Sequence, residues 1–124
     1  MSTDPRSAIH ALAALLDADY RAPIRGGEVR EGGVRVVGYY DYDERVYAGL
    51  AACQELAGTD YDYLAHIERI EQQPIARATL EDLSAWFTWV LRGERFCDGH
   101  IAENLESGRV RALVTRLLEL SPAG

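Results

Sequence analysis

The sequence contains no lysine and only two cysteines, and it has no long apolar run. Two cysteines are too few for the disulfide framework of a small secreted domain, although a single bridge between Cys53 and Cys97 stays open. No apolar stretch reaches the roughly 18 residues that a membrane helix needs. The N-terminus lacks the basic start of a signal peptide, since Asp4 precedes its short apolar run. We therefore expect a cytoplasmic protein without a membrane partner.

A basic surface is also missing. The net charge is -7, and residues 1–82 hold 8 arginines against 15 acids, whereas residues 83–124 hold five of each. Nucleic-acid binding requires a basic stripe, so nucleic acid is an unlikely partner. We interpret the exclusive use of arginine mainly as codon usage in a GC-rich genome, because replacing lysine with arginine on a solvated surface changes little. It matters at buried sites, because arginine can hold a carboxylate through two parallel hydrogen bonds.

The 124 residues and the apolar fraction of 48% fit one globular domain over residues 1–124, with residues 121–124 as a loose tail. Helical spacing of apolar residues predicts an all-α or mainly α bundle of five or six helices. Asp4 with Pro5, Asp43 and Thr79 each carry the features of a helix start. Positions predicted to face the core include Ile9, Leu12, Leu15, Leu16, Val46, Leu50, Cys53, Leu64, Ile67, Ile70, Leu80, Leu83, Trp86, Phe87, Val90 and Leu91, with His10 exposed.

The helix that starts at Thr79 is the clearest one, and Gly93 is placed to end it. Beyond it, Cys97, Ile101 and Leu105 recur every four residues, which predicts a helix that buries Cys97 and stops at Gly108. The glycine at position 99 marks a close approach by another helix, or else that helix starts only after residue 98. A last helix turns Val110, Leu113, Val114 and Leu117 inward.

A glycine-rich segment at about residues 26–40 interrupts the helices. Its pattern predicts a small β-hairpin turned at Gly32-Gly33, and an ordered loop is the alternative. The hairpin would pair Val29 with Val36 favourably and Arg30 with Arg35 unfavourably.

The segment Arg92 to Gly99 reads Arg-Gly-Glu-Arg-Phe-Cys-Asp-Gly, and Glu106 to Gly108 and Arg116-Leu117 follow at fixed distances. These motifs resemble the C-terminal half of a bacterial domain family of unknown function. The tyrosine-rich segment DYDERVYAGL is similar to the family's N-terminal signature, so the resemblance covers about residues 36–120. It implies one intact domain, and it implies no activity because none is established for the family.

Four charged residues, Arg92, Glu94, Arg95 and Asp98, lie in this segment, and Arg95 can pair with Asp98 at a three-residue spacing. We interpret the cluster as a structural brace, in which an arginine caps helix carbonyls and pairs with an acid from Asp41, Asp60 or Asp62. The alternative is an anion pocket in which both arginines hold a phosphate or a carboxylate.

Two tyrosine–aspartate segments, which include Tyr40, Asp41, Tyr61 and Asp62, combine aromatic rings with acids. Such a combination can stack on a sugar or grip a basic peptide. The structural alternative is that half of these tyrosines pack on the helices. We expect a binding groove where these segments meet the charged cluster.

Catalytic interpretations are weaker. Cys97 with His100 would need an exposed thiolate, which a buried position denies. A metal site from Cys53, His66, Cys97 and His100 lacks a second short-range ligand pair. Glu94 with Asp98 or Glu103 could act as a carboxylate pair, although paired acids on helices are usually solvated.

We therefore expect a non-catalytic interaction or ligand-binding module, whose partner is an unknown protein or a small anionic ligand, with no catalytic residue, metal or cofactor. One alternative is a small hydrolase or transferase whose anionic substrate is held by Arg92 and Arg95. A second is a helix-turn-helix-like nucleic-acid binder that exposes Arg109, Ala112 and Arg116.

Overall fold

The computed structural model describes residues 4–25, 32–33, 38–97 and 99–121. Within these ranges lie six α-helices, one short 3-10 helix and two short strands, which confirms the predicted mainly α architecture. The helices are α1 (Pro5–Asp17), α2 (Glu44–Ala57), α3 (Tyr63–Ile70), α4 (Leu80–Phe96), α5 (His100–Glu106) and α6 (Arg109–Leu120), the 3-10 helix is Ile75–Arg77, and the strands are β1 (Ile24–Arg25) and β2 (Tyr39–Tyr40).

The two strands form an antiparallel pair, in which Ile24 lies opposite Tyr40 and Arg25 lies opposite Tyr39. This confirms a small antiparallel hairpin, in which β1 lies just before the predicted segment of residues 26–40 and β2 lies at its end. Gly32 and Gly33 both have positive φ, the backbone conformation that a tight turn favours in glycine. The predicted pairs of Val29 with Val36 and of Arg30 with Arg35 lie outside the described residues.

Three helix starts carry the side-chain caps that the sequence predicts. The carboxylate of Asp4 accepts a hydrogen bond from the backbone of Arg6 at the start of α1, and Asp43 does the same for Arg45 at the start of α2. Thr79 and Asp82 form a reciprocal capping box at the start of α4. Each cap satisfies backbone N–H groups that have no partner within the helix.

All six helices contribute to one hydrophobic core. Phe87 of α4 is fully buried there, as are Leu12 of α1 and Leu50 of α2. Gly49 of α2 lies directly against Leu12, because the missing side chain lets α1 approach closely. Among the described residues, no helix is long and apolar enough to cross a membrane. Ser121, expected in a loose tail, accepts two hydrogen bonds from Arg6.

Leu64 and Leu80 were expected in the core, and both predictions are wrong because 66% and 42% of their surfaces are exposed. In α3 the inward positions are Ile67 and Ile70, which are buried, and Tyr63, which packs partly against the core. The spacing of these three residues, four and then three, follows one face of a helix, and Leu64 falls beside that face.

The predicted end of the fourth helix at Gly93 is also wrong, since α4 continues to Phe96. The ring of His100 packs where a side chain at position 93 would lie. Gly93 therefore permits a close contact between α4 and α5 and does not terminate α4. Gly108, in contrast, separates α5 from α6 as predicted.

Cys97 was expected on the buried side of a helix, and the structure places it in an exposed position at the end of α4. The next helix begins only at His100, after Gly99, which has a φ of 89°. This agrees with the alternative that the helix starts after residue 98. The close neighbour of Gly99 is the ring of Tyr40, which belongs to β2 and not to another helix.

A pair of leucine substitutions tests these assignments. Leu50→Ala should lower the free energy of unfolding by about 2–5 kcal/mol, because it opens a cavity in the core. Leu64→Ala removes the same atoms from an exposed position and should change it by less than about 0.5 kcal/mol. Urea denaturation measures both values, and an equal loss in the two variants would contradict the orientation of α3.

Candidate functional site

The carboxylate of Glu94 joins two helices. Its Oε1 accepts hydrogen bonds from the hydroxyl of Tyr42 and from the backbone N–H of Ile101, both at 2.8 Å, and its Oε2 accepts one from the N–H of Gly99 at 2.9 Å. Gly99 occupies the cap position of α5 and has no side chain of its own to offer. Glu94 therefore supplies from α4 the cap that α5 lacks.

Tyr42 completes this arrangement from the segment before α2. Its hydroxyl donates to Glu94 and accepts a hydrogen bond from the N–H of Ala102 at 3.0 Å. Burial, followed by the hydrogen bond to Glu94, raises the pKa of Tyr42 well above its usual value of 10. The phenol thus stays protonated at neutral pH and remains a donor to the carboxylate.

The bonds of Glu94 form a brace at this junction that differs from the predicted one, in which an arginine caps helix carbonyls and pairs with an acid. The acids proposed as partners for the arginines are engaged elsewhere or exposed, since Asp41 pairs with Arg25 and Asp60 binds His66. Within the described residues, Arg92 and Arg95 form no ion pair. The predicted contact of Arg95 with Asp98 involves a residue that lies outside the described ranges.

Beside the brace lies an open pocket of about 510 Å³. One wall comes from α2, a second from the segment between α2 and α3, and the third from the last turns of α4. The lining residues are Tyr47, Gln54, Thr59, Tyr61, Leu91, Arg92, Glu94 and Arg95. The three donors to Glu94 are neutral and do not remove its charge, but the lining holds two arginines against this one acid and is therefore positive on balance.

Aromatic rings hold Arg92 in place. Its guanidinium carbon lies 5.8 Å from the ring centroid of Tyr61 and 5.8 Å from that of Tyr63. This distance is within the range of a cation–π interaction, which orients the guanidinium without neutralising its charge. The interaction leaves the nitrogen donors of Arg92 available for an anion at the pocket.

Of the tyrosine–aspartate residues predicted to form the groove, only Tyr61 lines this pocket. Tyr40 packs against Gly99 and stacks on Tyr42 at a centroid distance of 6.0 Å. Asp41 lies at a separate shallow surface cavity near Arg25, and Asp62 is exposed at the start of α3. The pocket is therefore lined by Tyr61 of the second segment, while Tyr40, Asp41 and Asp62 do not line it.

A second polar cluster, which the sequence did not reveal, centres on His66 of α3. Its Nδ1 lies 2.7 Å from Oδ2 of Asp60, and its Nε2 lies 2.8 Å from Oδ1 of Asp82. The three side chains are largely buried, with 14% to 18% of their surface exposed. Both ring nitrogens thus face carboxylate oxygens, which only a protonated imidazole can satisfy with two N–H donors.

Electrostatics agree with this geometry. Burial alone would lower the pKa of His66, but the hydrogen bonds to Asp60 and Asp82 outweigh it and raise the pKa above 6.5. The hydrogen bond from His66 lowers the pKa of Asp60. For Asp82, burial acts upward, and the bonds from Thr79 and His66 prevail and lower the pKa. The cluster thus favours one cation between two anions.

Thr88, a fully buried residue of α4, connects this cluster with the pocket wall. Its hydroxyl donates to the carbonyl of Ser84 at 2.7 Å, and it accepts from the side-chain amide of Gln54 at 3.1 Å and from the N–H of Asp60 at 3.3 Å. One buried hydroxyl therefore anchors the pocket residue Gln54 together with the segment that carries Thr59 and Tyr61.

Sequence reasoning overlooked Tyr47, Gln54 and Thr59 as lining residues. Tyr47 and Gln54 are seven residues apart, a spacing that places them on the same face of α2, so a helical projection could have paired them. His66 offered no such signal, because Asp60 precedes the helix and Asp82 is 16 residues away in another helix.

The groups considered for catalysis and metal binding are dispersed. Cys53 is buried in α2, Cys97 is exposed, and the ring of His100 packs edge-on against Trp89 at 4.4 Å. His66 already has both nitrogens engaged. In the part of the chain that the structure describes, no group of three or more His, Cys, Asp or Glu side chains is placed to hold a metal ion.

The prediction of an exposed arginine face for helix-turn-helix DNA binding is wrong. Arg109 lies over the rings of Trp86 and Trp89 and donates to Asn104. Arg116 donates from Nε to the carbonyl of Ala78 at 2.9 Å. Both arginines are half-buried and used within the fold, so they do not form a surface that could read DNA.

The sequence pattern of one protein family matches residues 2–123. The chain belongs to the family of unknown function DUF6508. This match confirms the resemblance to a family of unknown function and extends it beyond residues 36–120. No curated protein and no solved structure matches the chain. Membership in this family therefore assigns no chemistry, and the function has to be argued from the site.

Removing the brace should weaken the fold. Glu94→Ala leaves two backbone donors and the Tyr42 hydroxyl without their acceptor, and we expect a loss of about 1.5–3 kcal/mol in the free energy of unfolding. Glu103→Ala, a change of the same type at an exposed position of α5, is the control and should cost much less. Chemical denaturation measures both, and similar losses would refute the capping role.

The two cysteines should differ strongly in reactivity. Iodoacetamide should modify Cys97 in the folded protein at neutral pH, whereas Cys53 should react only after unfolding, because burial raises its pKa to about 12. Peptide mass spectrometry identifies the modified thiol, and Cys97→Ser should give no adduct in the folded state. Since exposure alone explains fast alkylation of Cys97, this reaction would not indicate an enzyme. A folded protein modified at Cys53 would contradict the core assignment.

Proposed function

We propose that this protein is a non-catalytic binding module that holds a small oxyanion, a carboxylate or a phosphate ester, in the pocket between α2 and the end of α4. The observation that carries the proposal is the pair Arg92 and Arg95, which line the pocket and have no carboxylate partner among the described residues. We also propose that this function belongs to a single domain, because all six helices contribute to one core.

The chemistry of the lining supports a small anionic ligand. Two guanidinium groups three residues apart in one helix can bind an oxyanion through several charge-assisted hydrogen bonds. Tyr47, Tyr61 and Leu91 supply rings and an apolar surface for the organic part of such a ligand. A volume of about 510 Å³ accommodates a small molecule.

The absence of an available base supports binding without catalysis. Within the described residues, the acid in the pocket, Glu94, is occupied by three donors, and both nitrogens of His66 are bound to aspartates. A nucleophile or a hydrolytic water would need a proton acceptor within hydrogen-bond reach. Among the described residues that line the pocket, no side chain is left as such an acceptor for the hydrolase or transferase alternative.

Titration of the protein with phosphate and, separately, with succinate tests the proposal, with NMR chemical shifts or calorimetry as the measurement. Arg95→Ala should weaken binding by at least about tenfold, because a charge-assisted hydrogen bond is lost. The melting temperature should stay nearly unchanged, since Arg95 is exposed and makes no ion pair with a described residue. The two probes distinguish a preference for phosphate from one for carboxylate.

Arg77→Ala is the matched control, because Arg77 is exposed in the 3-10 helix and lies outside the pocket. It removes the same charge and should leave the affinity unchanged. If neither probe binds the wild type, the anion pocket is wrong, and a strong loss of melting temperature in Arg95→Ala would then show that this arginine is structural.

A further inference from the structure

The Asp60–His66–Asp82 cluster lies next to the proposed binding pocket and shares a chain segment with it. Asp60 is flanked by Thr59 and Tyr61, and both neighbours line the pocket. We propose that protonation of His66 controls ligand binding, so that the pocket binds its oxyanion tightly when His66 is charged and more weakly when it is neutral. This inference rests on the proposed function, because it concerns the regulation of the same pocket.

The side chain of Asp60 has one connection that links it to the helices. Its Oδ2 binds His66 of α3, while its Oδ1 accepts only from the N–H of Asp62, two residues along the same segment. The backbone N–H of Asp60 reaches Thr88 at 3.3 Å, a long hydrogen bond. The segment carrying Thr59 and Tyr61 is therefore held at Asp60 by two contacts, the short bond to His66 and the longer bond to Thr88, and the His66 bond is the one that depends on a proton.

Loss of the His66 proton must break one of its two bonds. A neutral imidazole has one N–H donor and one lone pair, and the lone pair would face a carboxylate oxygen. Asp82 is held independently, because its carboxylate also accepts from the backbone N–H of Thr79 in the capping box. Among the described residues the carboxylate of Asp60 has no second helix contact, and its backbone is tied to α4 only by the long bond to Thr88, so Asp60 is the partner that we expect to move.

Movement of Asp60 would reach the ligand through its neighbours. Tyr61 would shift relative to the guanidinium of Arg92, whose carbon lies 5.8 Å from the Tyr61 ring. Thr59 would leave the pocket wall together with it. The positions of an arginine, a tyrosine and a threonine at the pocket thus depend on one proton.

The pH range follows from the groups that face His66. These are Asp60 from the preceding segment and Asp82 from α4, while Arg69 of α3 acts on Asp60 through its charge. The pKa of His66 is raised above 6.5. The charged ring therefore stabilises the cluster fully below that pH, and this stabilisation is lost as the pH rises through the raised value. The pKa values of both aspartates are lowered from 3.8, so the stabilisation of the cluster by their charged carboxylates is lost only in acid.

Sulfate titrations between about pH 5.5 and about pH 8.5 test the inference, because the charge of sulfate and of the arginines is constant over this range. We expect the dissociation constant of the wild type to increase by about three- to tenfold towards the alkaline end. His66→Gln removes the titrating group and should flatten the dependence. His10→Gln, at an exposed position of α1, should retain it.

A measurement on the wild type keeps the inference testable even if a variant does not fold. The NMR titration of the His66 ring in the wild type should give the same midpoint as the change in sulfate affinity, and the amide signals of Thr59 and Tyr61 should shift with it. Asp60→Asn should move this midpoint to lower pH, because one of the two carboxylates that stabilise the charged ring is gone.

The outcomes separate the two proposals. Sulfate binding that is equally strong at all pH values, or a pH dependence that persists in His66→Gln, overturns the regulatory inference and leaves the anion pocket intact. If sulfate, phosphate and succinate all fail to bind at any pH, the proposed function is wrong and the regulatory inference falls with it.

Discussion

The capping of α5 by Glu94 is the interaction on which the site depends. A helix that starts with glycine has no side chain to satisfy its first N–H groups, and in this protein the acceptor comes from the preceding helix. Tyr42 extends the connection to the segment before α2, because its hydroxyl links the carboxylate to the backbone of Ala102. Three parts of the chain thus meet at one carboxylate, which fixes the end of α4 and the side chains that project from it.

This capping explains how a short charged segment serves two purposes. Gly93 gives α5 room to approach, and Glu94 secures that approach with hydrogen bonds. Arg92 and Arg95 are then the charged side chains of α4 that line the pocket without an ion pair among the described residues. Glu94, the acid between them in the sequence, accepts its hydrogen bonds from Tyr42 and from the start of α5. The structural requirement at Glu94 and the proposed anion binding at the arginines are therefore compatible, and the first creates the conditions for the second.

The sequence predicted those features that depend on local spacing and local caps. The starts of α1, α2 and α4 and the inward faces of α2 and α6 follow from neighbours within one or two turns. The end of α4 could not be predicted, because the role of Gly93 depends on the ring of His100 in the next helix. Cys97 kept the four-residue spacing of Ile101 and Leu105, but the chain breaks its helical path between them at Gly99. For the site, sequence identified the arginines and Tyr61, while the bonds of Glu94 and His66 join distant residues and left no local pattern.

The continuation of α4 through Gly93 also determines what kind of receptor the arginine pair can be. Two residues three positions apart on a helix are separated by a rise of about 4.5 Å along its axis, and this separation does not vary as it would in a loop. A rigid helix therefore fixes the backbone positions from which the side chains of Arg92 and Arg95 extend. Under the proposed function, the reach of the two arginine side chains from these fixed backbone positions limits the spacing of anionic oxygens that both guanidinium groups can bind at once.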